Sequence, residues 1–320
     1  MSSRNIPSRW EELSPIQFID VLELLLRFRK EEFSERELQV RLAVALTKNP
    51  IIKIHYRNTK WIDDRIFQHL DKMNFCFKYI YDDSRFKQLD RALQEKLSKI
   101  PPEQMTEDPE ISVARSFKRS VEIDAYITKQ LLPSIYVKRG FRKMPGYRFE
   151  RKGNIIDTSL TAEQYVDAMT ALQQLVSSKD PIYANIIMAI LYCPGEYSST
   201  KANKITNLFI NVPEIVKSAV LFNFEGILGW LCTNTKYSLM FNRSSSKEKQ
   251  PLGINAVIFS FVEKGYGNLN EVGSMNLMTF FELMYKNIVD AARQLREADM
   301  DRVKIAERLN LTIEQLNTIL

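Results

Sequence analysis

The sequence predicts a mainly α-helical chain, a multi-helix bundle with one small β-hairpin insertion near residues 134–157. Three observations carry that expectation. Glycine occurs only 10 times in 320 residues, below the roughly 7% usual in proteins, so the chain is poor in the turns that a β-sandwich consumes. Apolar residues recur at helical spacing through long stretches free of Pro and Gly. Capping signatures, a hydroxyl residue followed three positions later by Gln or Glu, stand in front of several of those stretches. With 45% hydrophobic and 26% charged residues, the balance is that of a chain that folds. Its length buries a core without disulfide or metal staples. The expected organisation is an N-terminal helical segment over 1–100, an acidic loop and connecting helix over 101–131, and a hairpin with a C-terminal helical domain over 132–320.

Taken in order, Ser14 with Pro15 and Gln17 marks a helix start near Pro15, and Phe18, Val21, Leu22, Leu25 and Leu26 give it one apolar face. Ser34 with Glu37 predicts a second helix through Leu46, closing a helical hairpin before Asn49-Pro50. From Asp63 to Leu97, aromatic and charged residues alternate at spacings that read as further helices. Pro101-Pro102 and the acids that follow read as a loop or linker. Between Leu132 and Asp157 the character changes to β-favouring Ile135, Tyr136, Val137, Phe141, Tyr147, Phe149, Ile155 and Ile156, with Gly140, Pro145-Gly146 and Gly153-Asn154 as turns. Helices are then expected from Leu160 to about Val176, over Ile182–Leu191, Pro213–Phe224, Ile227–Phe241, Ile254–Lys264 and Met275–Ala298, and in a terminal pair. Ser198–Lys204 reads as polar, Ser244–Gln250 as an exposed loop, and Gly265-Tyr266-Gly267 as a turn. The pattern Leu13-Ser14…Gln17 returns at Leu160-Thr161…Gln164 and Leu311-Thr312…Gln315, where capping explains it without internal duplication.

Candidate chemistry is sparse. General acid–base catalysis asks for a His or converging carboxylates; the chain has two histidines, His55 and His69, at a spacing that fits no motif. Asp63-Asp64 and Asp82-Asp83 are sequence neighbours whose side chains diverge on a helix. No phosphate-binding glycine loop, zinc-protease or nucleophile-elbow motif occurs. Cys76, Cys193 and Cys232 have neither disulfide-framework nor zinc-knuckle spacing, which suits a reducing compartment. Met1 to Trp10 has no apolar core of a signal peptide, and no uninterrupted apolar run approaches the roughly 18 residues of a membrane span. The expectation is therefore no catalytic, cofactor or metal site, and no membrane.

Charge is local. Of a net +6, the stretch Arg115–Lys152 carries eleven Lys or Arg against three carboxylates, a balance of +8. Within it, Lys138, Arg139, Arg142, Lys143, Arg148, Arg151 and Lys152 interleave with Tyr136, Phe141, Tyr147 and Phe149. That mixture suits phosphate neutralisation and base stacking, and it equally suits a hairpin with one face on the core and one in water or on a protein partner. The end of the chain, Val303–Leu309, Asn310 and Leu311–Leu316, has the outline of a helix-turn-helix, but its second helix offers no Lys or Arg to DNA; a small packing hairpin is expected.

Three stretches resemble helical proteins of tailed phages and prophages. Trp10-Glu11-Glu12-Leu13-Ser14-Pro15-Ile16-Gln17 is similar to their Trp-x-x-Leu-Thr-x-x-Gln start. Leu132-Pro133 through Pro145-Gly146-Tyr147 into Leu160-Thr161-Ala162-Glu163-Gln164-Tyr165, followed by Ile186 to Tyr192-Cys193-Pro194, resembles their core of Leu-Pro, hairpin, helix start and Leu-Tyr-x-Pro. Phe259 to Asn268 resembles their Gly-x-aromatic-Gly-Asn loop. One departure is that Pro145-Gly146 precedes Tyr147, where the family often has Gly-Pro after its tyrosine. The resemblance implies a non-enzymatic tail-assembly or tape-measure chaperone, without cofactor. Its partners would be other tail proteins, and it would work in the cytoplasm of a bacterial host or with the virion. The alternative expectation is a nucleic-acid-associated protein using Lys138–Lys152.

Overall fold

The computed structural model describes residues 6–47, 53, 56–57, 70–105, 109–137, 142–241 and 254–320. The fold is mainly α with small two-stranded antiparallel sheets. The chain divides into two compact units, Met1–Ala125 and Tyr126–Leu320, a division that falls inside the stretch 101–131. His55, His69, Asp63-Asp64, Asn49-Pro50 and Ser244–Gln250 lie outside the described residues.

In the first unit, α1 (Pro15–Arg29) starts as its sequence requires: the Ser14 side chain accepts from Gln17 N–H and the Gln17 side chain accepts from Ser14 N–H. Phe18, Val21, Leu22 and Leu25 are buried on one face, against Leu38, Leu42 and Leu46 of α2 (Glu35–Leu46). At the α1–α2 turn Glu31 adopts a left-handed φ of 59°. Glu31 N–H donates to Phe28 and Glu32 N–H to Arg27, the paired bonds that close a helix end. Trp10, buried, donates its indole N–H to the Asp124 carbonyl at 2.9 Å and packs edge-on against Phe18 and Phe75.

Of the helices expected between Asp63 and Leu97, the stretch Arg91–Leu97 is one, residues 63–69 lie outside the described residues, and the middle is corrected. Leu70–Cys76 is 3-10 helix and Phe77–Tyr81 is a strand, β1. Phe77 and Tyr79 are buried while Lys78 is exposed, a period of two that the helical reading of the same aromatics overlooked. A short α3 (Arg91–Leu97) and α4 (Pro109–Ala114) intervene before β2 (Arg119–Ile123) pairs antiparallel with β1, Tyr79 opposite Val121. Asp82 and Asp83 follow β1 and are not on a helix. Asp83 caps the 3-10 turn Ser84–Gln88 and pairs with Arg85 at 2.7 Å; those hydrogen bonds hold its carboxyl below the usual range.

In the second unit the expected single hairpin is two: β3 (Ser134–Val137) with β4 (Arg142–Pro145), and β5 (Phe149–Lys152) with β6 (Ile155–Thr158). The separation has a local cause. Gly146 N–H donates to Pro133 and Tyr147 N–H to Leu191, so the chain leaves the first ladder at Pro145-Gly146 and is tied to a helix before entering the second. Gly146 has no room for a side chain: a Cβ there would lie 2.8 Å from the Tyr192 ring.

The helices of this unit are α5 (Ala162–Ser178), α6 (Ile182–Leu191), α7 (Ser199–Ile205), α8 (Glu214–Asn234), α9 (Ser238–Phe241), α10 (Ile254–Glu263), α11 (Leu269–Ser274), α12 (Leu277–Glu297), α13 (Arg302–Leu309) and α14 (Ile313–Asn317). α6 is central and packs along α5, with Ile187, Met188 and Leu191 fully buried. Two expectations change. Ser198–Lys204 is largely helical, with Ser198 capping α7, and α8 runs unbroken through Glu225-Gly226, since a single Gly costs only about 1 kcal/mol inside a helix that packing already favours. α8 is long and apolar enough, by length and composition, to cross a membrane; 61% of its most apolar window is buried within the protein, and Lys217 on it is buried with its ammonium on Glu214 at 2.7 Å. At the C-terminus, Ile305, Ala306, Leu316 and Ile319 pack with Ala292 of α12, and Asn310, left-handed at φ 55°, joins α13 to α14. Here the Thr312–Gln315 box forms. At Thr161 only half does: Gln164 instead donates to the buried Ile190 carbonyl at 2.7 Å.

Candidate functional site

Among the described residues, the basic residues singled out by sequence are divided between the two hairpins. Lys138 and Arg139 lie outside the described residues. On the second hairpin the charges are already engaged: Arg148 pairs with Asp157 at 3.2 Å and Lys152 with Glu150 at 3.3 Å, a carboxylate that Lys129 also approaches at 3.6 Å. Arg151 stands over the Trp230 ring, 5.4 Å from its centroid, and donates to the Gly153 carbonyl at 2.8 Å. Arg142 and Lys143 are exposed on β4 and take part in none of the ion pairs among the described residues. Lys143 is directly opposite Tyr136, which is 59% exposed. Phe149 and Tyr147, expected to interleave with the cations, are buried instead.

A second constellation, which sequence reading passed over, lies on α5. Glu163 and Asp167 are one turn apart and so share a face. Ser199, the first residue of α7, sits between them, its hydroxyl 2.9 Å from Glu163 Oε1 and 2.5 Å from Asp167 Oδ2. The Tyr197 hydroxyl donates to the same Asp167 oxygen at 2.5 Å; burial, and then this bond, push the Tyr197 pKa far up. Lys201 fastens the loop that carries these groups, its ammonium on the Pro194 carbonyl and 3.3 Å from that of Glu196. One serine proton cannot serve two carboxylates at once. Acceptor capacity is therefore left over, and neither acid forms an ion pair among the described residues.

The pair stands between two clefts. One, of about 250 Å³, is lined by Asp167, Ala171, Ile186, Ile190, Tyr197 and Ser199. The other, of about 360 Å³, is lined by Glu163, Asp167, Ser199, Ile258, Phe259, Leu269 and Gly273. Phe259 and Leu269 are 55% and 49% exposed at its rim, on the helices either side of the turn made by Gly265 and Gly267, whose φ values are 80° and 134°. The one sequence signal that could have found the site is the i, i+4 spacing of Glu163 and Asp167; the hydroxyls that bridge them come from 30 or more positions away. Among the described residues no group of three or more His, Cys, Asp or Glu could hold a metal ion. The cysteines are free, Cys76 and Cys193 buried; burial raises the Cys232 thiol to about 12, far from the thiolate a nucleophile needs. Comparison with protein-family models, with curated proteins and with solved structures gives no match for this chain.

Proposed function

We propose that this chain is a non-enzymatic assembly protein that holds a helical segment of a partner in the clefts beside Glu163 and Asp167. The observation that carries the reading is a carboxylate pair that no cation pairs with among the described residues, flanked by exposed Phe259 and Leu269. An amphipathic helix that places an apolar residue against Phe259 and Leu269, and a Lys or Arg one turn away, satisfies both halves of that surface. Catalysis is a poorer use of it, because among the described residues the acids have no His or third carboxylate beside them to complete an acid–base or metal site. The resemblance of Trp10–Gln17 and of the Leu132–Pro194 stretch to tail-assembly proteins of tailed phages directs the search to tail components, a tape measure first. The test is co-expression with neighbouring tail proteins and a pull-down. Capture of the tape measure, lost with Glu163→Lys/Asp167→Lys and with Phe259→Ser, is the expected result; no association with any tail protein overturns it.

A second reading, polyanion binding, rests on Tyr136 beside Lys143 and on Arg142, which forms no ion pair among the described residues. Titration of labelled oligo-dT at low salt should then weaken with Arg142→Gln/Lys143→Gln, and the salt slope should fall by about one to two. An absence of low-salt binding removes this reading without touching the first.

A further inference from the structure

The first unit holds a recognition surface of another kind. The ladder of β1 and β2 can be phased from its neighbours. Asp124 N–H donates to Cys76 and Asp82 N–H to Lys118, while Tyr79 N–H turns away from β2 to the Ser98 carbonyl. In an antiparallel pair the residues that exchange hydrogen bonds alternate with those that do not. The bonded pairs are therefore Lys78 with Glu122 and Ile80 with Ser120, and the N–H and C=O of Val121 and Ile123 point out from the free edge of β2. None of these four groups has a partner among the described residues.

That edge faces a cleft of about 650 Å³ lined by Val121, Glu122 and Ile123 on one side and by Phe28, Phe33 and Glu31 of the α1–α2 turn on the other. The far wall is braced: Phe33 stacks on Phe28 and carries the guanidinium of Arg41 4.8 Å from its ring centroid. Unpaired edges are ordinarily blunted by Pro, Lys or a covering segment. Along Val121-Glu122-Ile123 there is neither Pro nor Lys, and no covering segment among the described residues; the edge is recessed instead.

We propose that this cleft binds an extended polypeptide segment of a partner, which adds a third strand to β2. Outward donors and acceptors two residues apart call for another backbone, not for a helix or a small molecule. The wall on the opposite side selects a single strand, since the β2 of a second copy would bring its own wall with it. Side chains of the incoming strand alternate between faces: one set meets Phe28 and Phe33 and is apolar, and the other lies beside Glu122, where a Lys or Arg repeats the cross-strand pairing that Lys78 makes from β1.

The test pans a displayed library of random octapeptides on the full-length protein, with the variant Val121→Pro as counter-selection. Val121→Pro removes an outward N–H without breaking a bond to β1, and circular dichroism checks that it folds. The expected peptides alternate in hydrophobicity and lose about tenfold or more in affinity for the variant. Methylating every second backbone nitrogen of the best peptide should abolish binding in one phase and leave it intact in the other. Hydrogen exchange on the unliganded protein supplies an independent readout: Val121 and Ile123 amides should exchange fast and Ser120 and Glu122 slowly. The proposal is overturned by peptides that bind wild type and variant alike or by none enriched, by a methyl scan without alternation, or by protected Val121 and Ile123 amides. Protection at all concentrations means that the chain's own segment fills the edge, and protection only at high concentration means a second copy.

Discussion

Two strands of similar length, β2 in the first unit and β5 in the second, show what a sheet edge is for in this protein. Both belong to two-stranded ladders, and both turn the backbone groups of alternate residues away from their partner. On β5 two of those groups are satisfied from outside the ladder: the Phe149 carbonyl accepts from Gln130 N–H at 2.8 Å, and Arg151 N–H donates to the Thr128 carbonyl at 3.0 Å. The segment 128–130 is held in turn by Asn223, which takes Leu131 N–H at 2.8 Å and gives its amide to the Lys129 carbonyl at 3.0 Å. On β2 the equivalent groups of Val121 and Ile123 meet an open cleft. A closed edge is part of the core and an open one is a surface for recognition, because an unmet peptide group is tolerable only where water or a guest can reach it.

The sharpest way to break the comparison is proline on each edge. Arg151→Pro deletes the bond to the Thr128 carbonyl and removes the guanidinium from the Trp230 ring; we expect a loss of about 2–4 kcal/mol in the second unit. Val121→Pro, at the corresponding position of the open edge, should cost under about 1 kcal/mol. Chemical denaturation followed by unit-specific hydrogen exchange measures both. Equal costs would mean that the β2 edge is as occupied as the β5 edge.

The closed side should also lack slack. Gly146→Ala brings a methyl to 2.8 Å from the Tyr192 ring and 3.1 Å from the Gln130 amide. Tyr192 cannot yield, since its hydroxyl is spent on the Leu132 carbonyl at 2.8 Å. A loss of about 1–3 kcal/mol is expected; a melting temperature unchanged within a degree would show that the junction of the hairpins gives way easily.

How much of this could be read beforehand differs between the two regions. The helix starts at Ser14, Thr161 and Thr312 were legible because a cap is a contract between residues three apart. The pairing of β1 with β2 was not, since Phe77 and Ile123 are brought together only by the intervening fold, and a five-residue strand is too short for its period of two to stand out from a helical background. The basic stretch was legible as charge and illegible as a site. Which cations are neutralised depends on Glu150, on Asp157 and on Trp230, the last of them 79 positions from Arg151. The Glu163–Asp167 constellation was hidden for the same reason, its hydroxyls arriving from the start of α7 and the loop before it.

Within the second unit two buried polar atoms are left over among the described residues, Asn185 Oδ1 and the hydroxyl of Tyr147. The Tyr147 hydroxyl is buried with no hydrogen-bond partner, and burial followed by the neighbouring Tyr192 pushes its pKa well up. Tyr147→Phe keeps the ring against Phe224 and removes the stranded hydroxyl, so stability should rise by about 1 kcal/mol. A decrease would mean that the hydroxyl has a donor or acceptor in solution, and that this closed region admits water.

The smallest effects separate the two units by pH. In the second, burial raises the Glu282 carboxyl, but the hydrogen bonds from Lys236 and from the Tyr237 hydroxyl outweigh it and hold the pKa below its ordinary value near 4.5. In the first, burial of Glu103 is outweighed in the same way by Arg119, whose guanidinium bonds it at 2.8 Å from β2. A carboxyl with a lowered folded pKa contributes stability that is present above its unfolded pKa and is lost as pH falls through the folded one. Both contributions should therefore be complete at neutral pH and fade below about 4.5. Each side chain is about half exposed, 48% for Glu282 and 52% for Glu103, so solvent screening keeps each under about 1 kcal/mol. Glu282→Gln should flatten the acid limb of stability in the second unit alone, and Glu103→Gln that of the first, where it also loosens the open strand: faster exchange at Ser120 and Glu122 would accompany it. If both variants changed both units equally, the two would unfold as one, and the distinction between an open and a closed region would be one of surface and not of stability.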